Sequence, residues 1–275
     1  MPFWCSSPSW AASTISNTTA STSRAGRGWA LVTGAARRIG AALALAAAEA
    51  GYDVVVHFGA SAGPAEETAE RVRALGRRAR IAQADLADAA ACRTLIETAP
   101  GPIGLLVNCA SVFEPDQAAT FDADRFDRAM AVNLRAPLIL AQAMAAAPPQ
   151  DCSGLIVNIT DQRVWRLTPN FFSYTLSKAA LWTATQTLAQ ALAPRIRVNA
   201  IGPGPTLASV HQTAESFAAQ GRAVPLGRSA TPEEIAAALA YLIDATSVTG
   251  QMIAVDGGQH LSWLTPDALN EGADG

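Results

Sequence analysis

Charge is scarce in this sequence. Only 16% of its residues are Asp, Glu, Lys or Arg, and the signs nearly cancel, leaving a net charge of −3 and a pI near 5.6. That balance provides neither the basic footprint that nucleic acid requires nor an attraction for anionic membranes. Cysteine is equally sparse. Cys5, Cys92, Cys109 and Cys152 are scattered without a C-x-x-C pair, and His57, His211 and His260 stand alone. No metal site and no disulfide framework are expected, and a reducing cytoplasm suits the chain. Long hydrophobic runs are missing as well. The richest Ala/Leu stretch, Ala41–Ala50, is too short for a bilayer and contains Glu49, so no membrane association is expected. Residues 1–28 are rich in Ser, Thr and Ala, without a basic start or a continuous apolar segment. They read as a disordered N-terminal extension rather than a secretory signal.

What is present is a regular alternation. Half of the 275 residues are hydrophobic, enough for a folded chain. From Trp29, short β-branched runs alternate with Ala-rich helical patterns: WALVTG, DVVVHF, ARIAQADL, GLLVNCAS, GLIVNIT, RIRVNAIGPG and QMIAVDGG read as strands. Helices are expected at 39–50, 62–76, 88–98, around 125–147, and at 173–193 and 231–244. Apolar strands separated by helices specify a parallel sheet covered on both faces. The fold class is therefore α/β, a Rossmann-type doubly wound parallel sheet in a single domain at 29–263. Residues 264–275 read as a polar tail.

The stretch VTGAARRIG places Gly34 and Gly40 across the first strand-to-helix turn. Glycine lets the backbone approach a pyrophosphate, and the free N–H groups of a helix start favour an anion. An NAD site usually adds an acidic residue near the end of the second strand, yet there is none between Val54 and Gly63. Arg37 and Arg38 lie in the turn instead, and Ser61 follows the second strand. Guanidinium suits the additional 2′-phosphate of NADP, so NADPH is the expected cofactor.

Tyr174 and Lys178 are four residues apart on an expected helix and project from one face. A phenol ionises near pH 10, and a neighbouring ammonium lowers that value towards a useful range. With these residues in view, the sequence resembles the short-chain dehydrogenase/reductase superfamily. Its pieces occur in order: Thr33-Gly34 to Gly40, Asp85-Leu86, Asn108-Cys109-Ala110, Asn133, Tyr174 with Lys178, and Pro203-Gly204. The resemblance implies hydride delivery from a nicotinamide. Tyr174 would donate the proton, Lys178 would hold the nicotinamide ribose, and Asn133 would seat a water in the relay. Asp85 and Leu86 would meet the adenine, and Asn108 and Ala110 would lie along the cofactor. Ile39, His57, Pro203 and Gly204 complete the cofactor set, and a homotetramer is implied.

Three departures point to the pteridine reductase branch. Arg38 replaces a glycine of the usual turn, Ser111 ends what is usually N-N-A-G, and Asp161 stands thirteen residues before Tyr174, where a serine is usual. That branch is similar in carrying Ser-x-Phe, here Ser111 to Phe113. A ketone develops negative charge on oxygen, which a carboxylate would oppose unless it were protonated. A pterin C=N bond takes hydride at carbon and a proton at nitrogen, and Asp161 paired with Tyr174 suits that transfer. Phe113 would stack on the flat ring, while Arg38 and Ser111 offer polar contacts. The substrate expected is pterin-like: a pterin, dihydropterin or dihydrofolate. The alternatives are a carbonyl reductase of the 3-oxoacyl-carrier-protein type and a nicotinamide-binding sensor without chemistry. Residues 206–224 read as a substrate flap.

Overall fold

The computed structural model describes residues 27–147, 154–208 and 212–262. The expected N-terminal extension and polar tail fall almost wholly outside the described residues. Seven parallel strands, Trp29–Val32 (β1), Asp53–Phe58 (β2), Ala79–Gln83 (β3), Ile103–Asn108 (β4), Gly154–Ile159 (β5), Ile196–Pro203 (β6) and Met252–Val255 (β7), form one sheet in the order β3-β2-β1-β4-β5-β6-β7. Among the described residues, the helices are Arg38–Glu49 (α1), Ala62–Ala74 (α2), Ala89–Leu95 (α3), Ala123–Met130 (α4), Ala136–Ala146 (α5), Phe172–Leu192 (α6), Ala214–Arg222 (α7) and Pro232–Asp244 (α8).

The central strands are apolar throughout because both of their faces are covered. Ala30 and Val32 point into one core with Val54 and Val56, while Trp29 and Leu31 point into the other with Val55 and Leu106. The period-2 alternation of a strand therefore separates two cores instead of core from solvent. Truncating a fully buried side chain such as Leu106 would cost roughly 2–5 kcal/mol. Helix starts follow local chemistry: Asp88 and Asp122 cap α3 and α4, and Thr231 with Glu234 closes a reciprocal capping box on α8.

Two segments differ from the sequence expectation. The flap contains a helix, α7, capped by Thr213; among its nine residues only Gly221 is buried, so apolar periodicity could not reveal it. Between α4 and α5 the chain makes a π-helical turn, Ala131–Arg135, that absorbs one extra residue without ending the helical run. The helical run 123–146 is long enough to cross a membrane and contains a window apolar enough to do so, but half of that window is buried inside the fold. It packs as a core helix. Strand order reverses between β1 and β4, and that reversal opens a crevice at the strands' C-terminal ends.

Candidate active site

A cavity of about 870 Å³ occupies this crevice. Its nucleotide-side wall begins at the β1–α1 turn. Gly34 has φ +66°, and a Cβ there would stand 2.9 Å from Ala110 Cα. A Cβ on Gly40 would fall 2.1 Å from the Gly34 carbonyl oxygen. Only glycine permits this tight approach. Thr33 Oγ1 holds the two loops together by accepting the N–H groups of Cys109 (2.9 Å) and Ala110 (3.1 Å). Arg37 occupies the N-cap of α1 without a side-chain cap bond, which leaves the helix start open to an anion.

His57 lines the cavity, but its ring is committed to the scaffold. Nδ1 accepts the Gly34 N–H at 3.1 Å, which places the proton on Nε2, facing the Ala84 carbonyl at 3.2 Å. Burial lowers its pKa, so the ring is neutral and anchors the glycine turn. Ser61, just before α2, also lines the cavity and makes no cap bond. Asp85 is exposed; its carboxyl accepts the Ala87 N–H at 2.9 Å, which holds it below the usual carboxylate range, and Arg128 is 3.5 Å away. Ile39, Leu86, Ala110, Pro203 and Gly204 line the same space.

Two residues named from the sequence turn their side chains elsewhere. Asn108 donates to Asn158 Oδ1 at 2.8 Å, and Asn158 in turn donates to Thr185 at 2.9 Å, so a buried ladder ties β4 and β5 to α6. Asn133 accepts from Val112 N–H (2.7 Å) and Ser111 Oγ (3.2 Å) and donates to Val112 O (2.9 Å) and Ser177 Oγ (3.0 Å). Its amide is saturated. A relay water at this position would have to use the main chain.

The reacting pair is formed where β5 meets α6. Asp161 caps the single turn Gln162–Val164, with Oδ1 accepting the Arg163 N–H at 2.8 Å. Its Oδ2 accepts the Tyr174 hydroxyl at 2.8 Å. Burial raises the Asp161 pKa against the opposing pull of Arg163. Tyr174 is raised well above its ordinary value, first by burial and then by Asp161. This corrects the expectation from spacing. Lys178 sits 5.7 Å from the Tyr174 ring centre and donates to Ile159 O at 2.7 Å, so in this state it does not acidify the phenol. The ammonium itself is lowered to about 8 by burial.

At the substrate end, Arg38 adopts φ +55° and donates to the flap carbonyls of Ala208 (2.9 Å) and Leu207 (3.2 Å). Its guanidinium thus bridges the glycine turn and the flap. Phe113 stacks on Phe171, with ring centres 4.2 Å apart and planes 9° from parallel, and meets Tyr174 edge-on at 4.7 Å. One face expected to receive substrate therefore already carries Phe171. Ser111 is exposed at the rim of the cavity.

A family profile described as enoyl-(acyl carrier protein) reductase matches residues 34–260. The chain belongs to the short-chain dehydrogenase/reductase superfamily. Within this superfamily it is similar to FolM alternative dihydrofolate reductase 1 from Brucella canis, solved with NADP: 50% identity, 90% of this chain and 99% of that one covered, TM-score 0.85. An uncharacterised oxidoreductase of Methylorubrum extorquens is 36% identical over 83% of this chain and 96% of its own. A 3-oxoacyl-[acyl-carrier-protein] reductase of Synechocystis is 33% identical over 83% and 95%. The FolM likeness supports the pteridine- and dihydrofolate-reductase-like branch, whose departures from the general short-chain pattern are matched here by Arg38, Ser111 and Asp161.

Two residues of this short-chain reductase site escape the sequence patterns. Phe171 adopts φ +58° at the start of α6, and Arg163 lies over its ring at 4.8 Å. The Asp-x-Arg spacing could have signalled the capped turn; nothing local to the sequence signals the stack.

Proposed function

We propose that this chain is an NADPH-dependent reductase acting on the C=N bond of a pterin, dihydropterin or dihydrofolate. The Asp161–Tyr174 hydrogen bond of 2.8 Å carries the reading. A carboxyl group backs the phenol at the point where the general short-chain pattern has a hydroxyl, and it can pass a proton to Tyr174 when a ring nitrogen is protonated. The cofactor fits the residues present. Gly34 and Gly40 let the turn close tightly on itself and on Ala110 below the cavity, the start of α1 is uncapped by side chains, and Arg37 and Ser61 line the cavity there. Bound NADPH would supply the hydride.

The chain's own groups manage the proton. Tyr174 keeps its hydrogen at neutral pH and donates it to the ring nitrogen as the adjacent carbon receives hydride. Asp161, whose proton persists to higher pH than that of a solvated carboxyl, replenishes the phenol. Hydride at carbon and the Tyr174 proton at nitrogen would together turn the C=N bond into HC–NH, which balances oxidation of the cofactor to NADP⁺. Lys178, which lines the cavity, would meet the ribose, and Asn133 braces the loop carrying Ser111 and Val112. Free, partly or fully buried thiols at Cys92 and Cys109 accord with a reducing cytoplasm.

The test is NADPH consumption by purified protein with biopterin, dihydromonapterin and dihydrofolate, in parallel with NADH and with a ketone panel. Turnover on the pteridines with NADPH is expected. Silence on all three, or activity on 3-oxoacyl thioesters alone, removes the reading; cofactor binding without any turnover would make the chain a sensor.

A further inference from the structure

Arg163 stands two residues beyond Asp161, and its N–H fixes Asp161 Oδ1 at 2.8 Å. Its guanidinium carbon lies 4.8 Å from the Phe171 ring centre and 5.6 Å from that of Phe113. Phe113 in turn meets Tyr174. Cation, two rings, phenol and carboxyl form one continuous wall of the cavity. Cation–π attraction explains why the guanidinium rests on the rings. It does not use the group's five N–H donors.

Those donors are idle. Among the described residues the Arg163 guanidinium makes no hydrogen bond and no salt bridge, and Nη1 is withdrawn from solvent without an acceptor. Arg78, by contrast, spends its guanidinium on Asp53 at 2.7 Å. A partly buried guanidinium without acceptors is an incomplete arrangement, and this one borders the reacting pair. What completes it must be electron-rich and must fit beside a flat aromatic wall. An amino group there would set donor against donor.

We propose that Arg163 is a specificity-determining residue whose guanidinium donates to an exocyclic oxygen on the planar substrate, selecting oxo-substituted heterocycles over amino-substituted ones of the same shape. The inference rests on the pteridine reading and sharpens it. Arg38 does not fill this role, because its guanidinium is engaged by the flap carbonyls.

The test compares two probes of nearly identical size, 2-amino-4-oxopteridine and 2,4-diaminopteridine, binding to the NADP⁺-loaded protein near neutral pH. Wild type should bind the oxo ring about tenfold more tightly or better, the worth of one charged hydrogen bond. Arg163→Met should bring the ratio close to one, and Arg163→Lys should restore part of it. In turnover with an oxo-pteridine, Arg163→Met should raise KM more than it lowers kcat. The ratio is internal to each protein, so a merely structural loss weakens both probes and leaves it unchanged. An unchanged ratio in Arg163→Met, or no preference in wild type, overturns the role of Arg163 alone. Wild-type protein that binds neither ring overturns the pteridine reading and this inference with it.

Discussion

Lys178 is the only lysine in the chain, and it is 2% exposed. Burial lowers its ammonium from 10.5 to about 8, against the opposing pull of Cys109 and Asp161. A gap of that size is worth roughly 3 kcal/mol at about 1.4 kcal/mol per unit. The sign follows from proton counting. Between about pH 8 and 10.5 the unfolded chain holds a proton that the folded chain lacks, so stability from this group rises with pH and is flat below 8. Cys109 works in the opposite direction: burial pushes its thiol from 9 up to about 11, so between those values stability falls as pH rises. Cys109→Ala removes the opposing slope, while Cys92, also raised by burial, cancels between the two proteins. Urea unfolding across pH 7–11 should therefore show the variant gaining on the parent above pH 9, by roughly 2 kcal/mol at pH 11. Protein labelled with [15N]lysine should give a single Nζ signal whose titration reads Lys178 without assignment. A midpoint at 10 or above, or parallel stability curves for parent and variant, would refute the electrostatic reasoning.

Other predictions follow from the same geometry. Asp161→Ser should reduce pteridine turnover by about 10²–10⁴-fold while leaving NADPH binding near the parent value; ketone turnover that holds or rises would instead favour a carbonyl reductase. Because burial raises the Asp161 pKa, kcat should be level on the acid side and decline as pH rises through that pKa, and the decline should vanish in Asp161→Asn. Gly40→Ala drives a methyl into the Gly34 carbonyl, so it should abolish NADPH fluorescence enhancement and cost about 1–3 kcal/mol in thermal unfolding; full cofactor affinity would contradict the role of the glycine turn. Sizing chromatography should place the protein at four times its 28.5 kDa chain mass, and a monomer peak would exclude the tetramer.

Local chemistry made most of the framework legible. DVVVHF forms the strand its β-branched run indicates, and Thr231-Pro-Glu-Glu opens a helix through a completed capping box. Tyr174 and Lys178 share a helix face as their spacing requires. What spacing could not show was where each polar group spends its hydrogen bonds. The Lys178 ammonium is held by Ile159, not by the phenol, because the β5 carbonyl reaches it first. Asn108 and Asn133 are consumed by partners 50 and 44 residues away, which no local pattern encodes. Helix α7 was invisible for the opposite reason: it buries almost nothing, so its sequence carries little periodic signal. The Arg163–Phe171–Phe113 contact needs three separate segments and exists only in the folded chain.

The conformation of Arg38 has a consequence in the genetic code. Its φ of +55° is a backbone state that glycine enters freely and that costs an arginine roughly 1–2 kcal/mol. Every arginine codon lies a single base change from a glycine codon. The relaxed turn is therefore always within one mutation, and the substitution would stabilise the backbone. A lineage that keeps arginine there is paying for the side chain's reach to the flap, and among relatives Arg38→Gly should appear together with a lost or remodelled contact at residues 207–208.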